Sequence, residues 1–276
     1  MSGLIQKLSW WRTLILHRFF PGVALRRNLA RDKEDEIELR LLSALVDPKR
    51  LAIDVGANVG SYTAVLHTLA AHVIAIDPHP RLAGILRAFP AAKVTVKQAV
   101  ASAPGTRQAR LAVSLVNGRE ADALAQVDHG NSQENVRLYD VPAITLDECA
   151  HRPVGFVKID VEGHEFNVLD GAARLLTEDR PIWLIESEAR HAEGAPFTLF
   201  ARMEEAGYVG FFAAHGNMHP VSEFDLSMQD QAALIGYTKR AEADYINNFI
   251  FVPKERDAQA IMAECAKLLA TACGND

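Results

Sequence analysis

A chain of 276 residues, 49% hydrophobic and 23% charged, has enough apolar material for one sizeable α/β domain and excludes a disordered or fibrous protein. Its net charge of −6 supplies no general attraction for polyanions, so nucleic acid is not expected as a partner. Three cysteines (Cys149, Cys265 and Cys273), odd in number and without metal-type spacing, fit a reduced, cytoplasmic protein rather than a secreted one.

The N-terminal segment differs from the rest. Residues 1–31 hold six Lys or Arg and no acid, leaving 23 basic against 35 acidic residues, a net −12, for the remainder. Leu4, Ile5, Leu8, Trp10, Trp11, Leu14, Ile15, Phe19 and Phe20 interleave with the bases, without the long uncharged run of a spanning helix. Two readings stand: an interfacial helix peripheral to the cytoplasmic face of the membrane, or a helix packing across the sheet or on a second copy in a homo-oligomer. We divide the chain into this basic, aromatic helical extension, 1–45, and a main domain, 46–276.

Leu51 to Thr63 reads as a strand, a turn with Gly56 and Gly60, and a helix N-terminus, a layout that brings backbone N–H groups close to a small ligand. The helix runs over about 60–70, and the second strand, 72–77, ends in Asp77-Pro78. In an open α/β sheet ligands sit beyond the carboxyl ends of the strands, where an acid can accept hydrogen bonds from both hydroxyls of a ribose. Asp77 is therefore the candidate ribose acceptor, with a cap before Pro78 as its structural alternative. The turn Gly56-Ala57-Asn58-Val59-Gly60 lacks the third glycine of a dinucleotide fingerprint. It suits S-adenosylmethionine, which needs only a turn near its methionine part. Asp54 is placed at the cofactor site or as a shaper of the turn, and Asn58 where the amino-acid part passes.

Further strands are expected at 93–98, 155–160, 181–186, 208–213 and 247–252, with helices at 79–88, 164–176, 196–206 and 255–270: a doubly wound α/β fold. Insertions are read at 105–143, as a hairpin with a loop over 128–135, and at 215–244. Asp160, Glu162 and His164 follow the fourth strand and gather at the same rim as Gly56 and Asp77, so they are the candidate catalytic groups. Each has a structural alternative: Asp160 as partner of Lys158, His164 as a helix-start residue, and Glu165 as a dipole-complementing charge. Glu186, ending the fifth strand, is a candidate contact for an acceptor hydroxyl. These acids and His164 have no spacing that a metal requires, and no metal is assigned.

Asp54–Thr63, Thr145-Leu146-Asp147-Glu148, the run from Phe156 to Glu165 with Leu169-Asp170-Gly171, and Asn248–Pro253 together resemble the FkbM-type S-adenosylmethionine-dependent methyltransferases. The resemblance spans roughly Leu51 to Pro253; its members usually carry Glu-Pro where this chain has Asp77-Pro78. It implies a seven-stranded class I methyltransferase (Rossmann-like) sheet whose last strand is antiparallel. It also implies O-methylation of a hydroxyl on a sugar, glycan, glycolipid or polyketide-like small molecule. The alternatives are a nicotinamide-dependent oxidoreductase and a non-catalytic cofactor-binding scaffold.

Overall fold

The computed structural model describes residues 36–116, 119–128, 135–150, 153–235, 238–239 and 245–273. The readings made for residues 1–31, for the loop tip at 129–134 and for Tyr237 fall outside them. The elements are α1 (Glu38–Leu45), β1 (Leu51–Val55), α2 (Ser61–Leu69), β2 (His72–Ile76), α3 (Pro80–Leu86), β3 (Val94–Lys97), β4 (Val100–Ala101), β5 (Gln108–Val116), β6 (Arg119–Val127) and β7 (Val136–Ile144). They continue with α4 (Leu146–Cys149), β8 (Val154–Ile159), α5 (Glu165–Asp170), β9 (Ile182–Glu186), α6 (Phe197–Glu205), β10 (Tyr208–Ala214), β11 (Asn217–Pro220), β12 (Leu234–Ile235), β13 (Thr238–Lys239), β14 (Asn248–Pro253) and α7 (Ala258–Cys273).

The main sheet has the order β11-β10-β14-β9-β8-β1-β2-β3. β1, at its centre, pairs in parallel with β2 and β8. Both β1 and β8 are buried along their whole length, which is why their sequences read as nearly unbroken apolar runs. All seven expected strands are present, and β14 lies antiparallel between β9 and β10. An eighth strand, β11, was not foreseen. His215 and Gly216, both at positive φ, turn the chain back on β10 as an antiparallel hairpin.

The two faces of the sheet carry separate apolar layers. Val157, Ile159, Leu169, Trp183, Phe212 and Phe249 belong to one; Ala52, Phe156, Leu66, Leu184, Ile250 and Cys265 belong to the other. α1 joins the second layer, burying Leu39, Leu41, Leu42 and Leu45 and packing against α2 and α7.

The helix expected over 164–176 is broken. α5 ends at Asp170, and a π-helical turn spans Leu175–Asp179. Gly171 lies at the break because a Cβ there would stand 2.2 Å from the Ser102 carbonyl oxygen. Asp147 accepts the N–H groups of Arg174 and Leu175 at 2.8 and 3.1 Å, while Thr145 and Glu148 close a capping box around α4. The Thr-Leu-Asp-Glu run is thus a brace that holds the helix after the fourth core strand. The 105–143 insertion is more than a hairpin: β5 pairs with both β6 and β7, and β7 pairs with β4, giving a second sheet.

Candidate active site

The turn after β1 is built for close approach. Gly56, Asn58 and Gly60 all have positive φ, at 76°, 49° and 92°. A Cβ on Gly56 would lie 1.8 Å from the carbonyl oxygen of Asp160, so only glycine lets the end of β8 pass against this turn. Asp77 locks the turn to the next strand: Asn58 donates its backbone N–H to Oδ2 at 2.9 Å, and His79 donates its own to Oδ1 at 2.8 Å. Two further lone-pair positions of the carboxylate are left for a ligand.

One cavity of about 280 Å³ joins these features. Gly56, Asn58, Asp77, Asp160, Glu162 and His164 all line it. Asp54 and Gly60 do not. Asp54 lies beneath the turn and accepts a hydrogen bond from Thr63 Oγ1 at 2.5 Å, which fixes α2 to β1; Gly60 is the left-handed residue that starts α2. Ile76, Leu82, Val100, Leu111 and Val127 form an apolar wall beside His79. The opposite end is polar and holds Glu186, Glu188, Arg190, Tyr245 and Asn247. Of these, the sequence pointed only to Glu186. Glu188 repeats its spacing and was readable from it. Arg190 follows β9 closely and pairs with Glu188, whereas Tyr245 and Asn247 carry no local signal, because β14 brings its N-terminal end beside β9 from about 60 residues away.

His164 has structural partners on both ring nitrogens: Ser102 Oγ faces Nε2 at 3.3 Å and Asn167 Nδ2 faces Nδ1 at 3.2 Å. Its ring is therefore held in the wall, and a proton-accepting role would require one of those contacts to break. Glu162 sits at positive φ with its carboxyl 3.0 Å from His191 Nε2. Burial first and the charge of Asp160 second push the Glu162 carboxyl up to about 7, while burial and Arg190 lower His191.

Lys158 is buried, with Nζ 3.5 Å from Asp160 Oδ2, 3.3 Å from Asn248 Oδ1 and 5.1 Å from the centre of the Tyr62 ring. Burial works against ionising Asp160, yet Lys158 and a hydrogen bond from Glu186 hold its carboxyl below its ordinary value. Asp160 thus lines the cavity and pairs with Lys158 at once.

Burial lifts several other carboxyls, Asp54 to about 6 and Glu36, Asp77 and Glu165 to about 7. A carboxyl raised on folding favours the folded state fully below its ordinary value, and that contribution is lost as pH rises through the folded one. The lowered carboxyls Asp160 and Glu188 act only below the ordinary carboxyl range, and the lowered His79 and His191 oppose the trend but are outnumbered by the raised carboxyls. The ligand-free protein should therefore melt a few degrees higher near about pH 5.5 than near about pH 8. Scanning calorimetry showing a flat or rising melting temperature over that window would contradict these assignments.

A nucleoside requires an apolar slot, a paired hydrogen-bond acceptor and a bare stretch of backbone; the wall at Leu82 and Leu111, Asp77 and Gly56 supply them in one cavity. The family model "Methyltransferase FkbM domain" matches residues 54–209. The chain belongs to the FkbM methyltransferase family. The cofactor of this family is S-adenosylmethionine, and the residues around the cavity fit it. Similar solved structures include the FkbM methyltransferase from Methylobacillus flagellatus KT, at 17% identity and TM-score 0.46 over 74% of this chain and 44% of that one. The FkbM chain described here thus spans less than half the length of that structure. Another is a putative methyltransferase from Streptococcus mutans in complex with SAH, at 11% identity and TM-score 0.42 over 78% of this chain and 96% of that one. No curated protein matches the chain.

Among the described residues no helix is long and apolar enough to cross a membrane, and no group of three or more His, Cys, Asp or Glu is arranged to hold a metal ion.

Proposed function

We propose that this FkbM-family protein methylates a hydroxyl oxygen on a sugar, glycan, glycolipid or polyketide-like small molecule. The observation that supports this reading is the single cavity running from Asp77 to Asp160, Glu186 and Glu188. Asp77 takes the ribose hydroxyls, Asn58 and the Gly56 backbone meet the amino-acid part, and the apolar wall takes the base. When bound, S-adenosylmethionine supplies an electrophilic methyl group.

At the other end the lining offers hydrogen-bond acceptors in excess, with Arg190 already bound to Glu188 through contacts of 2.6 and 3.0 Å. Such a surface suits a neutral acceptor that donates hydroxyl hydrogens and repels an anionic one. The protein's main task is to hold the acceptor oxygen in line in a space that excludes water, and fixed geometry of this kind is worth roughly 7–11 kcal/mol. Deprotonating a free hydroxyl beforehand is too costly. A hydroxyl as weakly acidic as water lies roughly 16 kcal/mol from an ordinary carboxylate, and the gap is wider for Asp160. Asp160 therefore accepts the proton only as the attacking oxygen acquires positive charge, when even a weak base suffices.

The test is to incubate the protein with methyl-labelled S-adenosylmethionine and cell extract fractionated into glycan, lipid and small-molecule pools. Label in a neutral hydroxylated acceptor supports the reading, and label only in protein or nucleic acid overturns it. Binding of NAD or NADP in place of S-adenosylmethionine would decide for the oxidoreductase alternative. Peripheral membrane contact through residues 1–31 would suit a lipid-linked acceptor; full-length protein left in the supernatant with anionic liposomes removes that part.

A further inference from the structure

Register sets two acids side by side at the polar end of the cavity. Ile159 of β8 pairs with Ile185 of β9, so Asp160 and Glu186 leave adjacent parallel strands at the same level, and both line the cavity. Two carboxyl groups can share a hydrogen bond only if one carries the proton. Their surroundings identify which. Asp160 pairs with the Lys158 ammonium at 3.5 Å, whereas among the described residues Glu186 makes no ion pair within 4 Å and accepts the side-chain amide of Asn247. Glu188 shares the Asn247 amide with Glu186, with Asn247 Nδ2 at 3.3 Å, and is held by Arg190 and by the Tyr245 hydroxyl. Glu162, with His191, completes the groups facing the pair. Three carboxyls thus lie between two cations, Lys158 and Arg190. With all three ionised the row carries one uncompensated charge in a partly buried site; with one proton on the central member it is neutral.

We propose that Glu186 works as a neutral carboxylic acid: it keeps its proton and donates a hydrogen bond to Asp160, takes the Asn247 amide on its carbonyl oxygen, and leaves Asp160 ionised with lone pairs turned to the cavity. Glu186 is then a positioning residue, and Asp160 is the group that receives the acceptor's proton. In that step the acceptor O–H bond breaks, its electron pair stays on the oxygen, and a new O–H bond forms on Asp160. Burial and the Asp160 charge push Glu186 well above its ordinary value, in accord with this arrangement. The inference rests on the methyltransferase reading of the cavity for its purpose but not for its protonation state.

The full chain carrying Glu186→Gln tests it, because a glutamine amide reproduces both hydrogen bonds of a protonated glutamate at every pH. Infrared spectra near about pH 9, where carboxyls raised only to about 7 are ionised, should show a protonated-carboxyl band that Glu186→Gln removes. Glu186→Gln should keep S-adenosylmethionine affinity within about threefold, and its rate of transfer should lose the alkaline fall that wild type shows as Glu186 ionises. A band that survives the substitution, or a variant as inactive as Asp160→Asn, overturns the proposal; the second result would make Glu186 an ionised base. Wild-type protein that binds no S-adenosylmethionine would overturn the methyltransferase reading instead, and the infrared band would still decide the state of Glu186.

Discussion

Asp160→Asn is expected to lower methyl transfer by about 10²–10⁴-fold while S-adenosylmethionine affinity stays within about tenfold of wild type. The amide keeps the size of the side chain but cannot take up a proton, and it replaces the anion that Lys158 faces at 3.5 Å. Lys158 is buried and retains Asn248 and the Ile159 carbonyl as partners, so the fold should persist. Some destabilisation is expected, because removing one partner of a buried ion pair leaves the other uncompensated. Single-turnover transfer from labelled cofactor, measured beside calorimetric binding, separates the two effects. Equal loss of binding and transfer would show that Asp160 holds the cofactor rather than the acceptor's proton.

Asp77→Ala should weaken S-adenosylmethionine binding by about 10²–10⁴-fold, the expected loss of two charge-assisted hydrogen bonds at roughly 1.5–3 kcal/mol each. It also strands the backbone N–H groups of Asn58 and His79, which the carboxylate now accepts. The turn that shapes the cofactor site therefore loosens together with the contact. Asp77→Asn retains one acceptor oxygen, so a loss of about 10–200-fold is expected for it. The pH dependence adds a signature. Burial raises Asp77 to about 7, and ribose hydroxyls favour its ionised form, so wild-type binding should strengthen from about pH 6 to about pH 8 and release a proton. Asp77→Asn should lack that component. Calorimetry in two buffers of different ionisation enthalpy reads both, and a pH trend unchanged in the variant would place the titration elsewhere.

What was legible in the sequence was what is local. The β1 run, its two glycines and the acid closing β2 occupy 27 consecutive residues, and their order along the chain is their order in space. The seven core strands were readable because parallel, buried strands are continuous apolar runs. The polar end of the cavity was only half legible. Asp160, Glu162 and His164 follow one strand, but Tyr245 and Asn247, which hold Glu186 and Glu188, arrive through the insertion of β14 beside β9, which no periodicity records. Chemical type also misled where burial decides. Asp54, placed at the cofactor site or as a shaper of the turn, lies outside the cavity lining and holds Thr63, and His164, a candidate catalytic group or helix-start residue, lines the cavity with both ring nitrogens engaged. β11 escaped because four residues after a two-residue turn carry too little pattern to read.

The most direct measurement is a crystal structure of the full chain with S-adenosylhomocysteine and Asp77 intact. Both ribose hydroxyls should lie on the Asp77 carboxylate, the base against Leu82 and Leu111, and the sulfur directed toward Asp160. Adenosine bound away from Asp77, or a sulfur turned from the β8 terminus, would contradict this placement.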